Sequence, residues 1–373
     1  MSKKTAIVIG AGIVGLATTR ALATRGYQVT VIERNQRAVG ASIRNFGMIW
    51  PIGQPDGEMY ERATLSRRIW LETAAEAGLF HDKVGSLHLA YHKDELEVLS
   101  QLASIYEHRD YQLIGPTEAL QKNTSVVSQG LLGALYSAEE VIVNPRQAIG
   151  SLPGWLQEKF GVQFIWGVAV TDILYPMVHG GGTSYRADEI YVCTGEDFET
   201  LYPAEFKALP LTKCKLQMMK MAAPANGERM GPAICGGLSL LHYHSFKASP
   251  ALEGLKKRIE ENFQHYLDLG IHVMVSQNDA GELIIGDSHE YGPSHDPFIR
   301  SDINNLILEY LKTFARFEDE RLIETWHGVY PKLTDGSTDI ILNPAEGVTI
   351  INGLGGAGMT LSFGLCEQVI ANK

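Results

Sequence analysis

Cysteine is scarce in this chain, and what there is has no metal-binding pattern. Cys193, Cys214, Cys235 and Cys366 form no C-x-x-C pair and no Cys/His ligand spacing. That excludes a zinc module and a disulfide scaffold, so no metal is expected. It suggests buried, reduced thiols in a cytoplasmic protein. Positive charge is also short. Against 43 Asp and Glu there are 32 Lys and Arg, a net charge of −11. Such a surface repels a phosphate backbone, so a nucleic-acid partner is not expected. No apolar run is long and unbroken enough for a membrane span. The nearest approach, Val348 to Cys366, is interrupted by five residues, Gly353, Gly355, Gly356, Gly358 and Gly364. It reads as a glycine-rich loop and a buried helix. Met1-Ser2-Lys3-Lys4 leads straight into a strand too short for a signal-peptide core. There is no internal repeat and no low-complexity segment. What remains is an ordinary globular composition over 373 residues, 45% hydrophobic and 20% charged, enough for two domains or one interleaved pair.

The informative stretch is the first. Thr5-Ala6-Ile7-Val8-Ile9 is apolar and β-branched, as a buried parallel strand should be. Gly10-Ala11-Gly12-Ile13-Val14-Gly15 follows, then a helical segment to about Arg25 and a stop at Gly26. Tyr27 to Ile32 reads as a second strand, ended by Glu33. Glu33 lies 18 positions past Gly15, close to the spacing of about 20 in dinucleotide-binding βαβ units. Gly10 permits the tight turn, Gly12 lets backbone approach a pyrophosphate, and Gly15 lets helix pack on strand. The helix N-terminus offers N–H groups and partial positive charge to phosphate. Glu33 can accept hydrogen bonds from ribose hydroxyls. The competing structural reading is an ordinary tight βα turn. The motif says dinucleotide without choosing between FAD and NAD.

Gly40 to Trp50 is small, polar and glycine-bearing. Helices are expected over Glu58–Gly78 and Lys93–His108. Another is expected over Arg146–Phe160, broken near Pro153-Gly154. Strands are expected at Gly85–Tyr91, Val162–Ile173 and Ala187–Gly195. From Leu209 the texture becomes α+β. Lys213–Met221, Leu238–Phe246, Ile271–Val275 and Glu282–Gly286 read as strands, Leu255–Leu269 and Arg300–Phe314 as helices. Trp326 to Gly336 reads as a loop and Val348–Ile351 as a strand. Asn352 to Thr360 is then a second glycine-rich strand-to-helix turn. Such a turn can aim a second helix N-terminus at a ligand held by the first. An NAD enzyme has no evident need for it. A flavin has, because its reduced ring gathers negative charge at N1/O2.

These motifs together resemble the FAD-dependent D-amino acid oxidase family, which includes glycine and sarcosine oxidases. The resemblance covers the whole chain. It rests on Gly10 to Gly15 with Glu33, on Gly40-Ala41-Ser42 with Asn45 and Gly47, and on Val143-Asn144-Pro145. Val170, Ala187-Asp188 to Thr194-Gly195, Trp326 to Gly336 and Gly353 to Thr360 complete it. It implies an α/β fold: a Rossmann-like FAD domain (1–80, 141–208 and 326–373) interleaved with an α+β substrate domain with antiparallel sheet (81–140 and 209–325). The cofactor contacts it implies come from Gly10, Gly12, Ile13, Gly15, Glu33, Arg34, Ala41, Ser42, Asn45, Phe46, Gly47 and Met48. They continue through Val170, with its backbone at the adenine, Thr194, Gly195, Gly355, Gly356, Gly358, Met359 and Thr360. More narrowly, Arg44 to Pro51 and Gly85 to Ala90 resemble a subgroup associated with phosphonate breakdown. Members of that subgroup are thought to oxidise N-methylated aminoethylphosphonate.

Two departures matter. Family members with covalent flavin place a cysteine in the segment that is here Trp326 to Pro331. This chain has Gly328 there, so noncovalent FAD is expected. Amino-acid oxidases often carry an arginine before the proline of that segment to clamp a carboxylate. Here it is Tyr330, which weakens an amino-acid reading. Substrate-site candidates are Arg44, Tyr330, His242 and His244, with Lys213 and Lys215 behind them. The bland readings are two histidines on one face of a sheet edge, a solvated lysine face, and Trp326 as core. The expected activity is oxidation of the C–N bond of a small amine. Hydride passes to flavin N5, the imine hydrolyses, and the electrons go on to oxygen or another acceptor. No general base is assigned. An NAD-linked dehydrogenase would be colourless; a non-catalytic FAD-binding protein would be yellow but not bleached by amines.

Overall fold

The computed structural model describes residues 3–373. Its first sheet has the strand order Ile340–Ala345, Val348–Asn352, Glu189–Val192, Thr5–Ile9 (β1), Gln28–Glu33 (β2), Gln163–Trp166. All neighbours are parallel except the first pair. Both faces of β1 are buried, and alternation divides them. Ala6 and Val8, with Val29 and Val31, pack under the helices Ile13–Thr24 (α1), Glu58–Ala77, Pro145–Phe160 and Gly358–Ala371. Ile7, Ile9 and Ile32 point the other way, onto Val170, Val178 and Phe206. There a three-stranded antiparallel sheet, Val170–Leu174, Met177–Gly180 and Thr183–Arg186, covers them. Each fully buried Val or Ile contributes about 1.5–3 kcal/mol.

The second sheet has nine strands and holds a separate core. Leu211–Met221 runs through it, flanked on one side by Glu290–Gly292 and Leu283–Gly286. Met274–Gln277, Ala233–Cys235, Ser86–Ala90, Gly133–Ser137 and Tyr111–Ile114 follow in order. The pairing is antiparallel throughout except between Ala233–Cys235 and Ser86–Ala90.

Four local readings are corrected. Trp326 to Leu333 is no loop. It belongs to the strand Leu322–Leu333, paired with Leu211–Met221 from Leu211↔Leu333 to Met221↔Leu322. Pro331 is tolerated because this strand pairs on one side only. A boundary at 325/326 falls inside it. Leu238 to Phe246 forms no strand but two 3₁₀ turns, Gly237–Leu241 and His244–Ala248. A short apolar run does not distinguish strand from turn. The helix Pro145–Phe160 runs unbroken with Pro153 inside it, because Leu152, Pro153 and Leu156 are buried. Lys215 is not on a solvated face. It is 2% exposed and donates to Phe298 O at 2.8 Å. No helix among the described residues is long and apolar enough to cross a membrane.

Candidate functional site

Gly10 follows β1 with φ of +102°. A Cβ there would lie 2.4 Å from Cys193 O, and one at Gly15 would lie 1.9 Å from Gly10 O. Both obstacles are backbone, so neither position admits a side chain. At Gly12 the only neighbour would be Ser42 Oγ, 3.1 Å away. The start of α1 carries no side-chain cap and no acidic residue in its first turn. The helix Gly358–Ala371 begins in the same way. The two glycine-rich turns meet, since a Cβ at Gly358 would touch Ile13 Cγ2 at 3.6 Å. Two uncapped helix N-termini thus converge. Their first-turn N–H groups, Ile13's apart, and their dipoles suit a ligand whose negative charge sits at two places, as pyrophosphate and a reduced flavin ring do.

The surrounding side chains hold this frame. The Glu33 carboxylate is buried and accepts from Ala11 N–H at 2.9 Å, Asn35 N–H at 3.0 Å and Asn35 Nδ2 at 3.2 Å. It therefore ties the turn to the end of β2 besides facing any ribose. Ile13 donates its N–H to Ser42 Oγ at 2.9 Å, so that donor is already taken. Asn45 donates to Ala41 O and Ser42 O and accepts from Gly47 N–H at 2.8 Å, folding its own loop. Gly47 has φ of +72°, and a Cβ there would strike Val143 O at 2.0 Å. Met48 pairs with Ile142, the buried Phe46 accepts from Ser276 Oγ through its carbonyl, and Thr360 Oγ1 accepts from Trp50 N–H. Met359, also buried, accepts the Trp70 indole N–H. Thr194 donates to Asp197 O, and Gly195 O accepts from Asn352 Nδ2. Arg34 is paired with Asp197. Val168 donates its N–H to the Glu33 backbone carbonyl, and Val170, two residues on, packs with Ile7, Ile9 and Ile32.

The strand Leu322–Leu333 delivers side chains to the second turn. Tyr330 is buried, and its hydroxyl lies 3.5 Å from where a Gly356 Cβ would stand. Burial drives its phenol pKa well above 10. Lys332 Nζ lies 3.9 Å from the equivalent point at Gly355. No carboxylate among the described residues is within ion-pair distance of Lys332. Sequence reasoning passed over Lys332 because a lysine in a presumed loop carries no signal. Arg44 donates to His327 O at 3.2 Å and packs against Gly328.

The two histidine candidates part company. His244 is exposed on its 3₁₀ turn. His242 joins a cluster with His272 and His289, at ring-centroid distances of 3.8 and 5.0 Å. His242 is itself exposed, while His272 and His289 are buried. Asp287 lies beside them, its oxygens 3.2 Å from His272 Nε2 and 3.8 Å from His289 Nε2. Burial holds His272 well below the usual imidazole range and pushes Asp287 up to about 6. His272, His289 and Asp287 have no motif spacing that could have announced them.

Comparison with known proteins agrees with this geometry. The tRNA 5-methylaminomethyl-2-thiouridine biosynthesis bifunctional protein MnmC of Chromohalobacter salexigens is 24% identical over 263 residues, 67% of this chain and 35% of the relative. The chain thus spans less than half the length of the curated relatives first matched. Among solved structures, L-proline dehydrogenase from P. horikoshii superposes with a TM-score of 0.78 at 20% identity, covering 99% of this chain and 92% of that one. Glycine oxidase from Bacillus cereus gives 0.79 at 16% identity, covering 100% and 94%. These two show the shared fold. A family profile described as DAO, FAD dependent oxidoreductase, matches residues 5–371. The chain belongs to that family of FAD-dependent oxidoreductases.

Proposed function

We propose that the chain oxidises the C–N bond of a small amine, and that its substrate is a secondary amine bearing a phosphonate, such as N-methylated aminoethylphosphonate. The observation that carries the reading is the convergence of two uncapped helix N-termini, with Tyr330 and Lys332 over the second. FAD, when bound, supplies the two-electron acceptor. Gly10, Gly12, Gly15, Glu33 and Ser42 hold its adenosine and pyrophosphate; Gly355, Gly356 and Gly358 present N–H groups to the ring. Lys332 adds a fixed positive charge there. No cysteine occurs in Leu322–Leu333, so the flavin is held without a covalent bond. Tyr330 stands where amino-acid oxidases of the family clamp a carboxylate, and a phenol offers one donor where an arginine offers a bidentate pair. The protein orients the amine and excludes water; no side chain is assigned as a base. The substrate part includes 81–140 and extends from 209 to Leu333, the remainder holding FAD.

Glycine, sarcosine and D-alanine are the competing substrates. The test is anaerobic flavin reduction, followed at the flavin absorbance maximum, with N-methyl-aminoethylphosphonate beside those three. Faster bleaching by the phosphonate is expected, since a site built for one anionic head leaves polar groups unpaired with another. Faster reduction by an amino acid overturns the substrate, and no reduction by any amine overturns the activity.

A further inference from the structure

The cluster of His242, His272 and His289 is assembled from the end of the 3₁₀ turn Gly237–Leu241 and two connections that flank strands of the substrate sheet. One ring nitrogen from each lies within 4.8 Å of the other two. Two features are costly for a plain core. Both ring nitrogens of His272 are buried without a hydrogen-bond partner, and so is Asp287 Oδ1. An unpaired buried polar atom is destabilising, and three of them lie together here; His272 Nε2 and Asp287 Oδ1 are near enough, at 3.2 Å, but are not aligned as donor and acceptor. The His289 ring is already oriented. Its Nδ1 is 2.8 Å from Gly270 O, which makes Nδ1 the donor and leaves the Nε2 lone pair toward Asp287. A backbone carbonyl fixing the far nitrogen is the usual support of a metal-ligating imidazole.

We propose that His242, His272, His289 and Asp287 bind one divalent transition-metal ion of the zinc class. An ion of this class sits about 2.0–2.1 Å from nitrogen and oxygen donors, so tetrahedral donors stand roughly 3.3 Å apart. The contact of His272 Nε2 with Asp287 Oδ1, at 3.2 Å, already has that separation. His242, being exposed, is the ligand free to turn inward. A free anion is the rival occupant of a histidine cluster. The carboxylate of Asp287 in its midst repels an anion and suits a cation. The assignment does not rest on the amine and phosphonate reading, since it needs only these four side chains, although His242 is also one of the substrate-site candidates.

The test uses untagged holoenzyme dialysed against a chelator, then titrated with zinc chloride by calorimetry. Metal per flavin is counted by plasma mass spectrometry. One zinc per FAD is expected. Its affinity should fall at least about a hundredfold in His272→Ala and in His242→Gln and stay unchanged in His265→Ala, an exposed helical control. His242→Gln keeps the test valid if His272→Ala does not fold, as judged by flavin content and circular dichroism. No stoichiometric zinc, zinc that ignores both substitutions, or phosphate binding that needs His242 while zinc does not, would overturn the site.

Discussion

Glu33→Gln separates holding a cofactor from building the turn that holds it. In the structure the carboxylate accepts Ala11 N–H through one oxygen and both donors of Asn35 through the other. An amide has one accepting oxygen. Whichever way it rotates, its NH₂ faces a backbone N–H, leaving that donor unpaired at a cost of about 1–3 kcal/mol. That cost falls on the apoprotein. The ribose contact is a second, separate loss. A charge-assisted hydrogen bond is worth about 1.5–3 kcal/mol, which corresponds to about a 10- to 150-fold weaker Kd. Two measurements divide the two effects. Thermal unfolding of apoprotein reads the turn; quenching of free FAD fluorescence on binding reads the cofactor. Both should change, and the stabilisation conferred by excess FAD should shrink in step with Kd. If the apoprotein melts earlier while Kd stays within about twofold, Glu33 serves the turn alone and the ribose contact is wrong.

Two further outcomes follow from the structure. Precipitation in trichloroacetic acid should leave the yellow chromophore in the supernatant, and a yellow pellet would contradict noncovalent binding. Burial holds the Glu140 carboxyl at about 7, above its ordinary 4.5, although it accepts from Ser86 Oγ at 2.9 Å and Ile52 N–H at 3.1 Å. A raised folded pKa means that its stability contribution is complete below about pH 4.5 and is lost as pH rises through about 7. Relative to Glu140→Gln, the wild type should therefore lose on the order of 3 kcal/mol across that window. Parallel denaturation midpoints for the two proteins would refute it.

The nucleotide turn was legible because its information is local: Gly10 to Gly15 and Glu33 lie within one βαβ unit, each with a steric or polar reason. The second turn was legible for the same reason. What the sequence hid is assembled at a distance. His242, His272 and His289 sit on three segments, one a 3₁₀ turn and two beside strands, and only the folded sheet domain brings them together. Leu322–Leu333 was misread at its second half because Gly328 and Pro331 look like breakers. A glycine packed under Arg44 and a proline on an edge strand break nothing. Lys215 was misread because its burial depends on the carbonyl of Phe298, 83 residues away.

The helix Gly358–Ala371 covers the first helix of the chain. Thr18 meets Cys366 at 3.3 Å across 348 residues, and Arg20 and Arg25 share Glu367, each at 2.7 Å. During synthesis the side chains that shield α1 are made some 348 residues after it. At about 5–20 residues per second, its apolar face waits roughly twenty seconds to a minute for a cover. Closing so long a loop is also slow. The packing of the nucleotide half is therefore completed only once Gly358–Ala371 has emerged, and until then its nascent first helix is a natural client for a chaperone.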